Sequence, residues 1–323
     1  MMENLENPLE FDNIGQISNQ IQNFIKSETK NLSKNGVVIG LSGGIDSSIT
    51  TTLSVKSIGP ENVFGLILPE RESNPQSEIL AKELATDLGI KTKTINLTQI
   101  LEAFDVYKNR EDVVRKYLPT FNERCKYRIA VSSDAILKGG LRIPFLEIQD
   151  NENKIHKFRL NPLDYSTLWS ATSIKHRTRM IMLYFFGEQN NLAIVGSTNK
   201  SENIQGYFVK YGDGGVDIEP ILNLYKTQVY QLGTHLKIPE SILKRKASPD
   251  TWSFEVSDED FFYGVNYRTL DLVWYAKENN IPLNKIEKLI KLSKPQIESL
   301  ILYLEKRWKS TSHMRKMPSS IEF

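Results

Sequence analysis

The sequence predicts an α/β fold: a doubly wound, mostly parallel sheet flanked by helices, with an inserted helix and hairpin segment and a helical C-terminal part. Three observations carry this expectation. Short apolar runs at 37–41 and 63–68 alternate with stretches of helical spacing. The runs are continuous rather than alternating, as in strands covered on both faces. Strand and helix follow one another in the βαβ rhythm of a parallel sheet.

Each element has its own signal. Ile14, Ile17, Ile21, Phe24 and Ile25 recur at helical spacing. The strand at 37–41 ends in Ser42-Gly43-Gly44-Ile45-Asp46-Ser47-Ser48, after which Ile49 and Leu53 begin a second helix. Gly59-Pro60 breaks the chain ahead of the strand at 63–68. A helix through Ile79, Leu80, Leu84 and Leu88 stops at Gly89, and 91–97 alternates like a third strand. From about residue 98 the rhythm breaks. A charged helical part leads to two alternating runs, 141–148 and 154–160, around a polar turn at 150–153, which predicts a hairpin. The insertion is placed at about 108–172. A helix over 174–186 and a strand over 192–196 resume the rhythm. Ser257 with Asp260, and Ser293 with Gln296 beside Pro295, mark helix starts in the C-terminal third.

Composition narrows the function. Of 323 residues, 41 are Lys or Arg and 39 are Asp or Glu, a net charge of +2 that offers no general pull on nucleic acid. The single cysteine, Cys125, excludes an internal disulfide and a cysteine-rich metal site, and is expected as buried filler. No run approaches the ~20 apolar residues that span a bilayer. The first residues carry neither the basic nor the apolar region of a secretory signal. A cytoplasmic enzyme or binding protein is expected, with no nucleic-acid or membrane partner.

The richest chemistry lies in the loop after the first strand. Gly43 and Gly44 permit positive φ and bring backbone amides close to a ligand. The following helix adds its unpaired N–H groups and the positive end of its dipole, a nest for phosphate. The Lys of a Walker A loop is missing. Asp46 in an anion site makes sense if it holds a cation that bridges to phosphate.

The Ser42-Gly43-Gly44-Ile45-Asp46-Ser47 string resembles the signature of the N-type ATP pyrophosphatases, which adenylate a carbonyl or carboxyl oxygen. Three further blocks resemble the NAD synthetases among them. These are Lys175-His176-Arg177-Thr178-Arg179-Met180, Gly196-Ser197-Thr198-Asn199-Lys200-Ser201-Glu202, and Tyr211-Gly212-Asp213-Gly214-Gly215-Val216-Asp217 followed by Leu224-Tyr225-Lys226. A basic tail, Lys306-Arg307 and then His313 to Pro318, adds a fourth. The likeness spans about 14–318, so one synthetase-like domain over 1–323 is expected.

The resemblance implies ATP-dependent amidation of deamido-NAD by ammonia, releasing AMP and pyrophosphate, in a homodimer. Free ammonia or a separate glutaminase would supply the nitrogen. It implies Asp46 and Glu202 as Mg²⁺ ligands and Asp46, Lys226 and Asp213 as catalytic residues. ATP and pyrophosphate contacts fall to Gly40, Ser42, Gly43, Gly44, Asp46, Ser47, Ser197, Lys226 and Ser248. Substrate contacts fall to Arg179, Lys210, Asp213, Asp217 and His313. Arg177 and Arg179 stand two apart, on different helix faces, and Arg179 is expected to point into the site. His176 is expected as an ordinary packed or surface histidine.

The insertion, Met314 in the tail and Ile67 at a strand end depart from the family pattern, and these bear on the acceptor rather than on adenylation. Two rival readings follow: a paralogous amide ligase acting on another carboxylate in sugar or natural-product assembly, and a tRNA-modifying ATP pyrophosphatase.

Overall fold

The computed structural model describes residues 7–131 and 143–321. Its central sheet is four parallel strands, β1 (Gly36–Gly40), β2 (Val63–Ile67), β3 (Lys91–Thr94) and β7 (Leu192–Val195), in the order β3-β2-β1-β7. Successive residues of β1 serve opposite faces. Val37 and Ile39 pack with Val63, Ala81 and Val195 on one side, while Val38 joins Leu66, Ala171 and Ile194 on the other. All three are at most 1% exposed, so each contributes roughly 1.5–3 kcal/mol of apolar burial. That two-sided burial is why the run reads as continuous. β3 closes one edge with Lys91 and Lys93 in an all-exposed strand, which discourages pairing with another chain.

Helices α1 (Ile14–Asn31), α2 (Ile45–Ile58) and α3 (Pro75–Asp87) follow the sequence expectation. Asn13 and Asn74 cap α1 and α3 by accepting the Gln16 and Gln76 N–H groups at 3.0 and 2.9 Å. Helices α4 (Thr98–Ala103) and α5 (Val106–Tyr117) then lead to a second, antiparallel sheet: β4 (Lys126–Val131), β5 (Pro144–Gln149) and β6 (Ile155–Arg159). The β5–β6 hairpin was expected; the start of its first run, Leu141 and Arg142, lies outside the described residues. β4 was not expected, because its alternation of Tyr127 and Ile129 with Lys126 and Arg128 spans only one short segment.

The helix expected over 174–186 is longer. α6 runs continuously over Pro162–Asn190, with Asn161 as its cap and Pro162 at its first position. The C-terminal part comprises α7 (Lys200–Gln205), α8 (Lys226–His235), α9 (Glu240–Leu243), α10 (Tyr267–Glu278), α11 (Leu283–Ile290) and α12 (Lys294–Ser310). Ser293 and Gln296 form the expected capping box. Ser257 Oγ accepts the Asp260 N–H at 3.1 Å at the start of a π-type turn, Glu259–Tyr263, closed by Gly264 N–H on the Glu259 carbonyl at 2.7 Å. The second sheet and these helices share one core, where Tyr127, Ile129 and Leu146 meet Phe261, Leu270 and Leu300. Cys125 is buried in it, with Sγ 3.6 Å from Asn151 Oδ1. No helix among the described residues is long and apolar enough to cross a membrane.

Candidate active site

β1 is followed by a crossover to β2 on one side, and β7 lies on its other side, so the winding reverses between β1 and β7. Ligands of doubly wound sheets bind at such a switch point, outside the carboxyl ends of the strands. Two cavities open there. One, of about 230 Å³, extends from Ser42, Gly44 and Asp46 past Glu202 to Trp169 and Tyr207. The other, of about 490 Å³, lies against Gly40, Leu66, Arg179, Leu183 and Gly196. Ser42, Ser197, His176 and Asp213 line both.

The glycine loop is locked by its own serines. Ser42 Oγ and Ser47 Oγ are 2.9 Å apart, Gly44 N–H donates to Ser42 Oγ at 3.2 Å, and Ser48 Oγ donates to the Gly44 carbonyl at 2.8 Å. No side chain caps α2, which leaves its first amides for a ligand. Gly43 has φ +69°, and a Cβ there would lie 2.3 Å from the Ser77 carbonyl oxygen. Gly43→Ala is accordingly expected to cost about 1–3 kcal/mol, read as a lower midpoint in urea unfolding.

Behind the loop, Lys226 begins α8 and is only 1% exposed, although a lysine in a helix turn ordinarily faces water. Its ammonium pairs with Asp46 and lies 4.0 Å from Glu202. Asn199 Nδ2 donates to Asp46 Oδ1 at 3.1 Å. Asn199 and Glu202 also form a capping box at the start of α7, so the acid is fixed by the helix that carries it. Burial opposes the Lys226 charge, but Asp46, Glu202 and Asp258 together raise its pKa far above the ordinary lysine value. Burial, and then the Asp46 charge, push Glu202 well above the carboxylate range. Asp258 is fully occupied by the hydroxyls of Tyr207 and Tyr267, at 2.8 and 2.9 Å.

Burial and the Asp46 charge disfavour an ionised Glu202, and a divalent cation between the two carboxyl groups would relieve that. Asp46 and Glu202 have oxygens available to it, and hard oxygen donors are what Mg²⁺ takes. Among the described residues no three His, Cys, Asp or Glu are gathered for a metal, so phosphate and water would complete the shell.

A family model for NAD synthase matches residues 17–140 and 140–318. The chain belongs to the NAD synthase family. An NH3-dependent NAD+ synthetase of Rhizobium meliloti is 33% identical over 298 residues, covering 92% of this chain and 89% of the relative. Its counterpart in Thermotoga maritima is 36% identical over 278 residues, covering 84% and 92%. Among solved structures, an NMN synthetase from Francisella tularensis matches with a TM-score of 0.67 at 26% identity, over 97% of this chain and all of that one. An NH3-dependent NAD synthetase from Campylobacter jejuni matches with 0.63 at 27%, over the same shares.

In this NAD synthase family member, Ser42, Gly44, Asp46, Ser47, Ser197, Glu202, Asp213 and Ser248 all line the first cavity, and Gly40 and Arg179 the second. Arg179 Nε donates to the Leu68 carbonyl at 3.3 Å, whereas Arg177 Nε reaches the Lys210 carbonyl at 3.4 Å and lines neither cavity. Three expected substrate contacts lie apart from the cavities. Asp217 accepts the Ile194 N–H at 2.9 Å and the Tyr184 hydroxyl at 3.1 Å, which ties the glycine-rich loop to β7. Lys210 Nζ donates to the carbonyls of His313 and Lys316, at 2.9 and 3.0 Å, and so fastens the tail. The His313 side chain is exposed.

Other residues enter the site unexpectedly. His176 Nδ1 stands 3.4 Å from Asp213 Oδ1 at the wall common to both cavities; burial lowers its pKa, with Asp213 opposing. Arg71 lines the second cavity four residues beyond Ile67, stacked 3.9 Å over the Tyr107 ring. Glu219 accepts the Thr198 N–H at 3.1 Å beneath Gly196, and burial pushes its pKa up to about 8. A folded-state pKa above the unfolded value means that the native state holds the extra proton, so stability falls as pH rises from about 4.5 to about 8. Glu219→Gln is expected to flatten that slope and to raise the melting temperature at pH 8, as thermal unfolding across this range will read.

Proposed function

We propose that this chain is an ammonia-dependent NAD synthetase: it joins ammonia to the nicotinate carboxylate of deamido-NAD at the expense of ATP, which is split to AMP and pyrophosphate. The single observation that carries the reading is the switch-point site itself. There a glycine nest, the Asp46–Lys226–Glu202 cluster and two adjoining cavities meet at Ser42 and Ser197.

The cavity against Gly40, Leu66 and Arg179 suits adenosine, and the glycine nest suits the β- and γ-phosphates. Asp46 and Glu202 would hold Mg²⁺, which neutralises charge on the leaving pyrophosphate. Lys226, kept protonated by its carboxylates and lining neither cavity, stands behind Asp46 as a fixed positive charge that acts on the phosphates through that pair. Ser42 and Ser197, shared by both cavities, orient the α-phosphate toward the acceptor. The deamido-NAD carboxylate oxygen attacks the α-phosphorus as pyrophosphate leaves. Ammonia then attacks the acyl carbon, AMP departs, and one proton is released. Asp213 and His176, at the shared wall, are placed to bind ammonium and take that proton. Gathering these groups is mostly a matter of positioning.

Arg179 and Ser248 complete the contacts proposed for the nucleotide. The chain is proposed to act as a cytoplasmic homodimer that takes free ammonia or ammonia from a separate glutaminase. The test is incubation with Mg-ATP, ammonium and deamido-NAD, with NAD and AMP measured together; equal amounts of the two are expected. Deamido-NAD and nicotinic acid mononucleotide are compared as acceptors. NMN formed in preference to NAD, or AMP formed with neither amide, would overturn the choice of acceptor.

A further inference from the structure

The loop at 245–251 walls the first cavity along its whole length and contributes Pro249 and Asp250 to the second. What holds it is a buried knot of four charges and two phenols. Lys175 Nζ contacts Glu70 Oε1 at 3.0 Å, also pairs with Glu72, and donates to the Thr251 carbonyl at 3.0 Å. Arg110 Nη1 donates to Glu72 Oε2 at 2.5 Å and to the same carbonyl at 3.0 Å. Tyr107 and Tyr127 donate their hydroxyls to Glu70 and Glu72, at 2.7 and 3.0 Å. The charges balance, two positive against two negative, and Arg110 and Lys175 are wholly buried. Burial works against each charge, yet Arg110 and Lys175 hold Glu72 down to about 2.

Of the knot only Glu70 reaches a cavity, the second; Glu72, Tyr107, Arg110, Tyr127 and Lys175 line neither, so these five act through the loop rather than on a ligand. The loop is also gripped from its other side. Asp250 adopts φ +49°, an uncommon conformation for a side chain with a Cβ. Its two carboxylate oxygens accept the Asn74 N–H and the Ser77 hydroxyl, each at 2.8 Å. Ser77 is the residue whose carbonyl abuts Gly43 in the phosphate nest. The inserted sheet continues the grip past the loop, because Tyr127 pairs by its backbone with Ser253 and Phe254, at 3.0 and 3.1 Å.

We infer that the inserted segment is a positioning device for the nucleotide site: through Arg110 on α5 and Tyr127 on β4 it holds the 245–251 loop in its binding conformation before the nucleotide arrives. The inference rests on the ATP reading of the two cavities but not on the identity of the acceptor. Swinging the loop outward would carry off the Thr251 carbonyl and so take one acceptor from each of two buried cations, which opposes opening.

The test uses the full chain without any acceptor. Mg-ATP affinity is measured by titration calorimetry, and tryptic cleavage at Lys244, Arg245 and Lys246 is timed in the absence of nucleotide. Tyr127→Phe, which deletes one hydroxyl, is expected to weaken ATP binding roughly three- to tenfold, the worth of one hydrogen bond, and to speed cleavage. Arg110→Met is expected to do more, and Arg110→Lys to recover part of the loss. Should Arg110→Met fail to fold, Tyr127→Phe and Arg110→Lys decide. A fall in melting temperature with wild-type ATP affinity and cleavage rate would make the knot merely structural and overturn the inference. Tight ATP binding without amidation of deamido-NAD would sink the proposed acceptor and leave this inference standing. A wild-type chain that binds no Mg-ATP would overturn both.

Discussion

Asp46→Asn is expected to lower ATP-dependent pyrophosphate release by about 10²–10³-fold while the protein stays folded. Asn keeps the shape of the side chain and can still accept from Asn199 Nδ2, which donates to Asp46 Oδ1 at 3.1 Å. What it removes is charge, at the one point where the phosphate nest, Lys226 and the proposed Mg²⁺ position converge. Pyrophosphate release at saturating ATP, followed alongside the melting temperature, checks this. Turnover within a few-fold of wild type would mean that Asp46 is only a helix-start acid and that the metal assignment is wrong. A variant that binds ATP more weakly but turns over normally when saturated would give Asp46 a role in binding alone.

Lys226→Met should act on stability and turnover together. Met fills the stem's volume but leaves Asp46, Glu202 and Asp258 facing one another across a buried space. Removing one partner of a buried charge cluster costs about 3–5 kcal/mol, because the remaining charges lose their compensation. Urea unfolding should show that loss, and amide formation should fall below detection. Unchanged stability would show that the carboxylates simply take up protons and that Lys226 is not their counter-charge.

The sheet and the tight glycine loop were legible because their signals are local. β1 opens with four consecutive buried residues, and the Ser-Gly-Gly string needs only its own neighbours to fix its turn. The approach of Glu202 and Lys226 to Asp46 was readable only through the resemblance, since 156 and 180 positions separate them from it. Where several polar groups sit close in sequence, order alone does not say which one faces inward. Asp213 and Asp217 share one glycine-rich loop, yet only the first lines the cavities, because the second is consumed by Ile194 and Tyr184. His176 looked like an isolated histidine until α6 brought it to Asp213. The knot around Glu72 was invisible for the same reason: its members come from separate segments, and each alone reads as a solvated charge.

The core shared by the second sheet and the C-terminal helices also bears on the making of the protein. The strands ending at Arg159 leave the ribosome well before the residues that cover them, from Trp252 to Leu304. At bacterial or eukaryotic elongation speeds of about 5–20 residues per second, the sheet waits on the order of ten seconds for its partners. During that interval Tyr127, Ile129, Leu146 and Ile148 lack the cover of Trp252, Phe261, Leu270 and Leu300. Nascent chains stalled near residue 240 should therefore be more prone to aggregation and more chaperone-dependent than the finished polypeptide, and release of the last helices is the event that ends this exposure.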